Sequence, residues 1–117
     1  MIECKLLKGN PKTVRLQISG HAGVTTEAPD LVCEDVTAIW CTLLAAAEER
    51  GWHGTVKNDP GDCEIEIQLN KKNRSEVFLC LGVITAGLRM VERTFPLYVS
   101  YREDAGKNTD ILRAAEE

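Results

Sequence analysis

The strongest constraint on what this chain can fold into is a change of hydrophobic period that occurs twice in the same order. Two stretches of apolar and polar alternation are followed by one stretch with apolar residues at three- and four-residue steps. Ile2, Cys4 and Leu6 alternate with Glu3 and Lys5. After Gly9-Asn10-Pro11, Val14, Leu16 and Ile18 alternate with Thr13, Arg15, Gln17 and Ser19. This pattern predicts a β-hairpin with one face in water. From Leu31 the period lengthens: Val32, Val36, Ile39, Trp40, Leu43, Leu44 and Ala47 make one helical stripe, ended by Glu48, Glu49, Arg50 and Gly51. Asp30 is placed to cap its start.

The second cycle begins with Trp52 to Lys57, turns at Asn58-Asp59-Pro60-Gly61-Asp62, and returns through Cys63, Ile65, Ile67 and Leu69. Asn73 with Glu76 three residues on has the form of a capping box. Beyond it Val77, Leu81, Ile84, Leu88 and Val91 form a stripe that Phe78, Cys80, Val83 and Met90 widen, while Gly82 and Gly87 permit close backbone approach. Leu97, Val99 and Tyr101 predict a last strand, followed by a polar tail with a short helical pattern at 111–115. The expected fold is α+β, in the order β-β-α-β-β-α-β. It is a single domain over residues 1–117, with a mostly antiparallel five-stranded sheet and two helices on one face.

Charge narrows the function classes. Fourteen basic against eighteen acidic residues leave a net charge of −4, the wrong sign for a chain that binds phosphate backbones, so no direct nucleic-acid partner is expected. Lys71, Lys72 and Arg74 cluster, and read most simply as a solvated turn. The longest stretches without a charge, Val36 to Ala47 and Val77 to Leu88, hold 12 residues each, short of the roughly 20 that cross a bilayer. The first residues lack a basic segment feeding an apolar core, so no signal peptide and no membrane association are expected, and the expected location is the cytoplasm.

Five cysteines stand beside two histidines. Cys4, Cys33, Cys41, Cys63 and Cys80 are odd in number, widely spaced and without a C-x-x-C pair, which argues against a disulfide framework and against a metal site. Four of them read as packing residues. Cys33 differs because it sits near the start of a helix, where unpaired N–H groups and the helix dipole favour a thiolate. It also lies at the border of the apolar stripe. His21 precedes it by only twelve positions, at the end of a strand and the start of the long Gly20–Pro29 loop. If the loop brings the imidazole to the thiol, His21 can take its proton and later protonate a leaving amine. The bland alternatives are a polar loop histidine and a core cysteine, with Asp30 a cap and His53 an ordinary strand residue.

Gly20-His21-Ala22, a loop, Asp30-Leu31-Val32-Cys33, then Thr37 and Ala38 resemble the ribosomal-processing cysteine proteases, the Prp family. The element order and length agree over nearly the whole chain. The resemblance implies a homodimeric cysteine endopeptidase that removes the N-terminal extension of large-subunit ribosomal protein number twenty-seven, cutting after a pair of aromatic residues. It implies Cys33 as nucleophile and His21 as general base and acid, with Asp30 and Thr37 as orienting or supporting residues. It further implies a substrate flap containing Gly23, Val24, Thr25, Thr26 and Glu27, and no cofactor. Backbone N–H groups at the helix start would serve as oxyanion donors. Glu34 and Asp35 stand where the family usually has small residues, and Thr37 where it commonly has serine. Two other functions fit the same residues: a noncatalytic ribosome-associated binding module, and a redox-sensing thiol protein.

Overall fold

The computed structural model describes residues 1–21 and 29–104. Strands β1 (Ile2–Asn10) and β2 (Thr13–Gly20) form the first hairpin, followed by helix α1 (Pro29–Arg50). Strands β3 (Gly54–Asp59) and β4 (Asp62–Gln68) form the second, followed by helix α2 (Arg74–Thr94) and strand β5 (Val99–Asp104). The expected element order and α+β class are those observed. The pattern at 111–115 lies outside the described residues.

The five strands make one sheet in the order β3-β4-β2-β1-β5, with three antiparallel pairs and one parallel pair, β1 with β5. The second hairpin packs alongside the first through β4, and β3 is left at the edge. Through β4, strand β3 runs parallel to β2, so α1 is a crossover that leaves room for β4 between them. In the same way α2 carries the chain across β2 and β1 to deliver β5 at the opposite edge.

Register explains the core. Cys4 pairs with Ile18, Leu6 with Leu16, Leu16 with Ile65 and Val14 with Ile67, so apolar side chains from neighbouring strands share one face. That face is buried under both helices, to which α1 contributes Val32, Val36, Trp40 and Leu43, and α2 contributes Val77, Leu81, Ile84, Leu88 and Val91. Both predicted helical stripes are the buried ones. Gly87 lies against Ile39 of α1, where an added Cβ would sit 3.2 Å from Cδ1, so the glycine does permit close helix packing. The opposite sheet face is polar, with Arg15 donating to Glu66 at 2.6 Å and Gln17 to Glu64 at 2.6 Å across β2 and β4.

Three local expectations change. Helix α1 begins at Pro29, at home in a first turn because its missing N–H would have no partner there. Asp30 therefore lies inside the first turn and not at the cap. The Asn73 and Glu76 capping box is not formed. Asn73 does occupy the N-cap of α2, but its side chain makes no capping bond. Its Oδ1 accepts from the Asn70 N–H and its Nδ2 donates to the Gln68 carbonyl, both at 2.8 Å, closing the β4–α2 turn. Glu76 faces α1 instead, accepting from Arg50 and from the Trp52 indole at 2.6 Å. Val83 and Met90 do not widen the core; with Leu79 they are exposed.

The end of α1 is closed by Gly51 at φ +68, with Trp52 N–H donating to the Ala47 carbonyl and Gly51 N–H to that of Glu48. This is a Schellman termination, which glycine favours because it adopts left-handed angles without steric cost.

Two tests follow from this packing. Leu43→Ala and Leu88→Ala remove side chains with no exposed area, and each is expected to lower unfolding free energy by about 2–5 kcal/mol in denaturant titration. The exposed Val83→Ala should change it by less than about 0.5 kcal/mol. A hydrogen bond from Arg50, then one from Trp52, holds the Glu76 carboxyl below its usual range. The tie between the helices is thus present above the ordinary carboxylate pKa and is lost as pH falls through the lowered folded value. Glu76→Gln should flatten part of the fall in thermal midpoint between about pH 7 and about pH 3.

Candidate active site

The site is built where the first hairpin, the second hairpin and α1 converge. Gly20, the last residue of β2, has φ +93, and a Cβ there would collide with the Met1 carbonyl oxygen, so only glycine fits. Its N–H donates to the Gly61 carbonyl at 2.9 Å, tying the end of β2 to the β3–β4 turn. His21 follows immediately and is exposed, with its ring against Gly61. The turn itself is Pro60-Gly61, with Gly61 at φ +73. Proline followed by a left-handed glycine is the residue order of a type II turn.

Cys33 is carried by α1 and is half-buried, beside the fully buried Val32 that anchors the helix to the sheet. With the helix starting at Pro29, Cys33 is the fifth helical residue, two past the last position whose N–H group lacks an intrahelical partner. The Cα–Cβ bond of a helical residue tilts toward the N-terminus, so the sulfur is carried back over that first turn. The N–H groups that an α-helix leaves without an i−4 partner in that turn are those of Asp30 and Leu31.

His21 and Cys33 line one cleft of about 240 Å³, together with Thr37, Trp40, Gly61 and Cys63. Ile2, Ile18 and Val36 give it apolar walls. Thr37 and Trp40 follow Cys33 at four and seven residues, the helical spacing that keeps them on one face. The Trp40 indole N–H donates to Asn58 Oδ1 at 3.0 Å, which binds α1 to the second hairpin and fixes that wall of the cleft.

The structure thus joins three of the residues singled out in the sequence, His21, Cys33 and Thr37. No hydrogen bond links His21 to Cys33 among the described residues. Such bonds are often long or open in a catalytic site without substrate. The remaining flap positions, Gly23 to Glu27, lie outside the described residues. Glu34 and Asp35 are exposed and do not line the cleft. His53 sits just before β3, in a separate polar cleft with Arg50, Trp52 and Glu76. Among the described residues, His21 shares a cleft with Cys33, whereas His53 lines a different one.

Sequence reasoning placed Cys63 in the core and missed Gly61, Pro60 and Trp40 as parts of the site. Trp40 was accessible from helical periodicity. Cys63 and Gly61 were not, because they reach the cleft through the pairing of β4 with β2, where Cys63 opposes Ile18. The second cleft thiol differs in kind from the first. Cys63 donates toward Asn58 Oδ1 at 3.5 Å and the Asp59 carbonyl at 3.4 Å. Burial, and then the nearby Asp62 and Asp59, push it further toward the protonated form. Such a thiol is a poor nucleophile. Burial likewise pushes Cys4 up to about 12.

The family model for cysteine protease Prp matches residues 1–100, a span that contains His21, Cys33 and the whole cleft. The chain belongs to the Prp cysteine protease family. No curated protein matches it. Among solved structures it is similar to the essential ribosomal processing protease Prp from Staphylococcus aureus with a covalently linked product peptide. That match has a TM-score of 0.73 and 18% identity, covering 89% of this chain and 100% of the other. The same S. aureus protease with a substrate peptide aligns at TM-score 0.71 and 17% identity, with 89% and 100% covered. SMU.848 from Streptococcus mutans aligns at TM-score 0.63 and 22% identity, with 88% and 93% covered. These likenesses carry the fold, including its mixed sheet and two helices. No described helix is long and apolar enough to cross a membrane.

Alkylation of the native protein followed by peptide mapping should separate the thiols. Exposed Cys41 is expected to react well before Cys63, and Cys4 only when the protein is unfolded. Modification of Cys4 at the rate of Cys41 would contradict the burial described.

Proposed function

We propose that this Prp-family protease is an endopeptidase working through a Cys33–His21 dyad, and that it acts in the cytoplasm on a ribosomal protein precursor. The observation that carries the reading is the convergence of these two residues, from different elements, on one cleft within the family match. His21 takes the Cys33 proton, and the thiolate attacks the scissile carbonyl carbon. Collapse of the tetrahedral adduct breaks the C–N bond as imidazolium His21 protonates the leaving amine. His21 then deprotonates a water that attacks the thioester, and Cys33 leaves as thiolate. N–H groups in the first turn of α1 are the proposed oxyanion donors. Thr37 borders the reacting groups as a supporting residue, and Asp30 in the same turn is proposed to support the dyad through the helix start. No metal ion or organic cofactor takes part in these steps.

The proposed substrate is the N-terminal extension of large-subunit ribosomal protein number twenty-seven. This follows the resemblance in the sequence and accords with the role of the S. aureus protease, a ribosomal processing enzyme with bound peptide. The segment from Gly23 to Glu27 is proposed as the flap over that peptide. The deciding experiment incubates a peptide from the extension with wild type and with Cys33→Ala. Wild type should cleave at one bond and Cys33→Ala should not, while His21→Ala should slow cleavage by about 10²–10⁴-fold. Cleavage that persists in Cys33→Ala would overturn the assignment. Binding without cleavage by wild type would favour a noncatalytic module.

A homodimer is also proposed. Leu79, Val83 and Met90 of α2 are exposed by 73%, 68% and 58%, and helical spacing aligns them in one strip away from the core. Sedimentation of wild type at twice the monomer mass, and of Val83→Glu at the monomer mass, is the expected result. A monomeric wild type at micromolar concentration would count against it.

A further inference from the structure

We infer that Gly61, at the tip of the β3–β4 turn, is a positioning residue for the catalytic histidine, acting as the bare-backbone seat on which the His21 imidazole rests. The inference rests on the proposed role of His21 and deepens it. A Cβ built on Gly61 would lie 2.6 Å from both Cε1 and Nε2 of His21 and 3.5 Å from Cδ2. Ordinary carbon contacts are about 3.5–4.0 Å, so any side chain at position 61 must drive the ring off its place. The same residue's carbonyl accepts the Gly20 N–H at 2.9 Å, so seat and ring belong to one connected unit: β2 end, turn and imidazole. On its other side the second hairpin is held to α1 by the Trp40 to Asn58 bond. The turn therefore relays the position of the Cys33 helix to the ring.

His21 is exposed, and its ring edge can rotate away without disturbing the core. A side chain at position 61 should therefore leave the fold intact and displace the imidazole. The confounding cost is the left-handed backbone, because Gly61 has φ +73 and non-glycine residues are strained there. Gly51 supplies the control. It has φ +68, and a Cβ there meets nothing within 4 Å. Asparagine tolerates this conformation better than most residues, so Gly61→Asn and Gly51→Asn impose comparable backbone strain, and only the first touches His21.

The test compares these two variants with wild type in peptide cleavage and in imidazole NMR. His21 and His53 are the only histidines, so the spectra are assigned with a His53→Gln control. Both asparagine variants should unfold at similar temperatures. Gly61→Asn should lower kcat by about tenfold or more with KM within about twofold, as expected for loss of orientation. It should also shift the His21 ring resonances and the pH dependence of kcat, whereas Gly51→Asn should do neither. Unchanged His21 resonances in Gly61→Asn, or a kcat equal to that of Gly51→Asn, would overturn the inference. The resonance measurement needs no substrate. A failed dyad assignment would show as cleavage by Cys33→Ala or by His21→Ala at wild-type rate, an outcome separate from the behaviour of Gly61→Asn.

Discussion

Burial of one sheet face beneath two helices is the interaction on which everything else in this molecule rests. The register of β1, β2 and β4 lays Cys4, Leu6, Val14, Leu16, Ile18, Ile65 and Ile67 in a continuous apolar surface. A slip of one residue in any of those pairings would turn a strand's apolar set into water. Because α1 must cover that surface with Val32, Val36, Trp40 and Leu43, its rotation about its own axis is fixed. Cys33 then falls at the edge of the buried stripe. The half-exposed position of its thiol is a consequence of core packing.

Around this frame the site is a meeting of three backbone segments. Two left-handed glycines do the joining: Gly20 lets β2 turn beside Met1, and Gly61 lets the second hairpin turn beneath His21. The bond between them brings residues some forty positions apart in sequence into one wall. The second thiol in the cleft shows how environment sorts identical groups. Burial, and then the acidic neighbours Asp62 and Asp59, push Cys63 toward the protonated form, while Cys33 is carried near the start of α1.

Elements with a strong period were legible. The buried residues of α2 include all five that its pattern picked out, and α1 buries the stripe expected of it. What periodicity missed were choices between near-equivalent local partners. Asn73 occupies the cap but spends its amide on the preceding turn, and Glu76 finds Arg50 and Trp52 across the helix pair. Val83 and Met90 are apolar without being internal, because a helix lying on a sheet has only one face to bury. Pro29 starts α1 two residues before the Leu31 start that the period predicts, since proline suits a position that needs no N–H.

The sequence by itself determined the elements, their order, the two buried stripes, and the nomination of His21 and Cys33 from a short motif. These depend on local period and on residue chemistry, which are properties of neighbours along the chain. Only the tertiary structure decided that β3 lies at an edge, that β5 joins β1 in parallel, and that Trp40, Gly61 and Cys63 complete the cleft. Strand order is set by which crossovers let both helices cover one face, and no residue signals that choice alone. The seat beneath His21 exists only once β4 has paired with β2, because a glycine's open side has meaning only when something is brought against it.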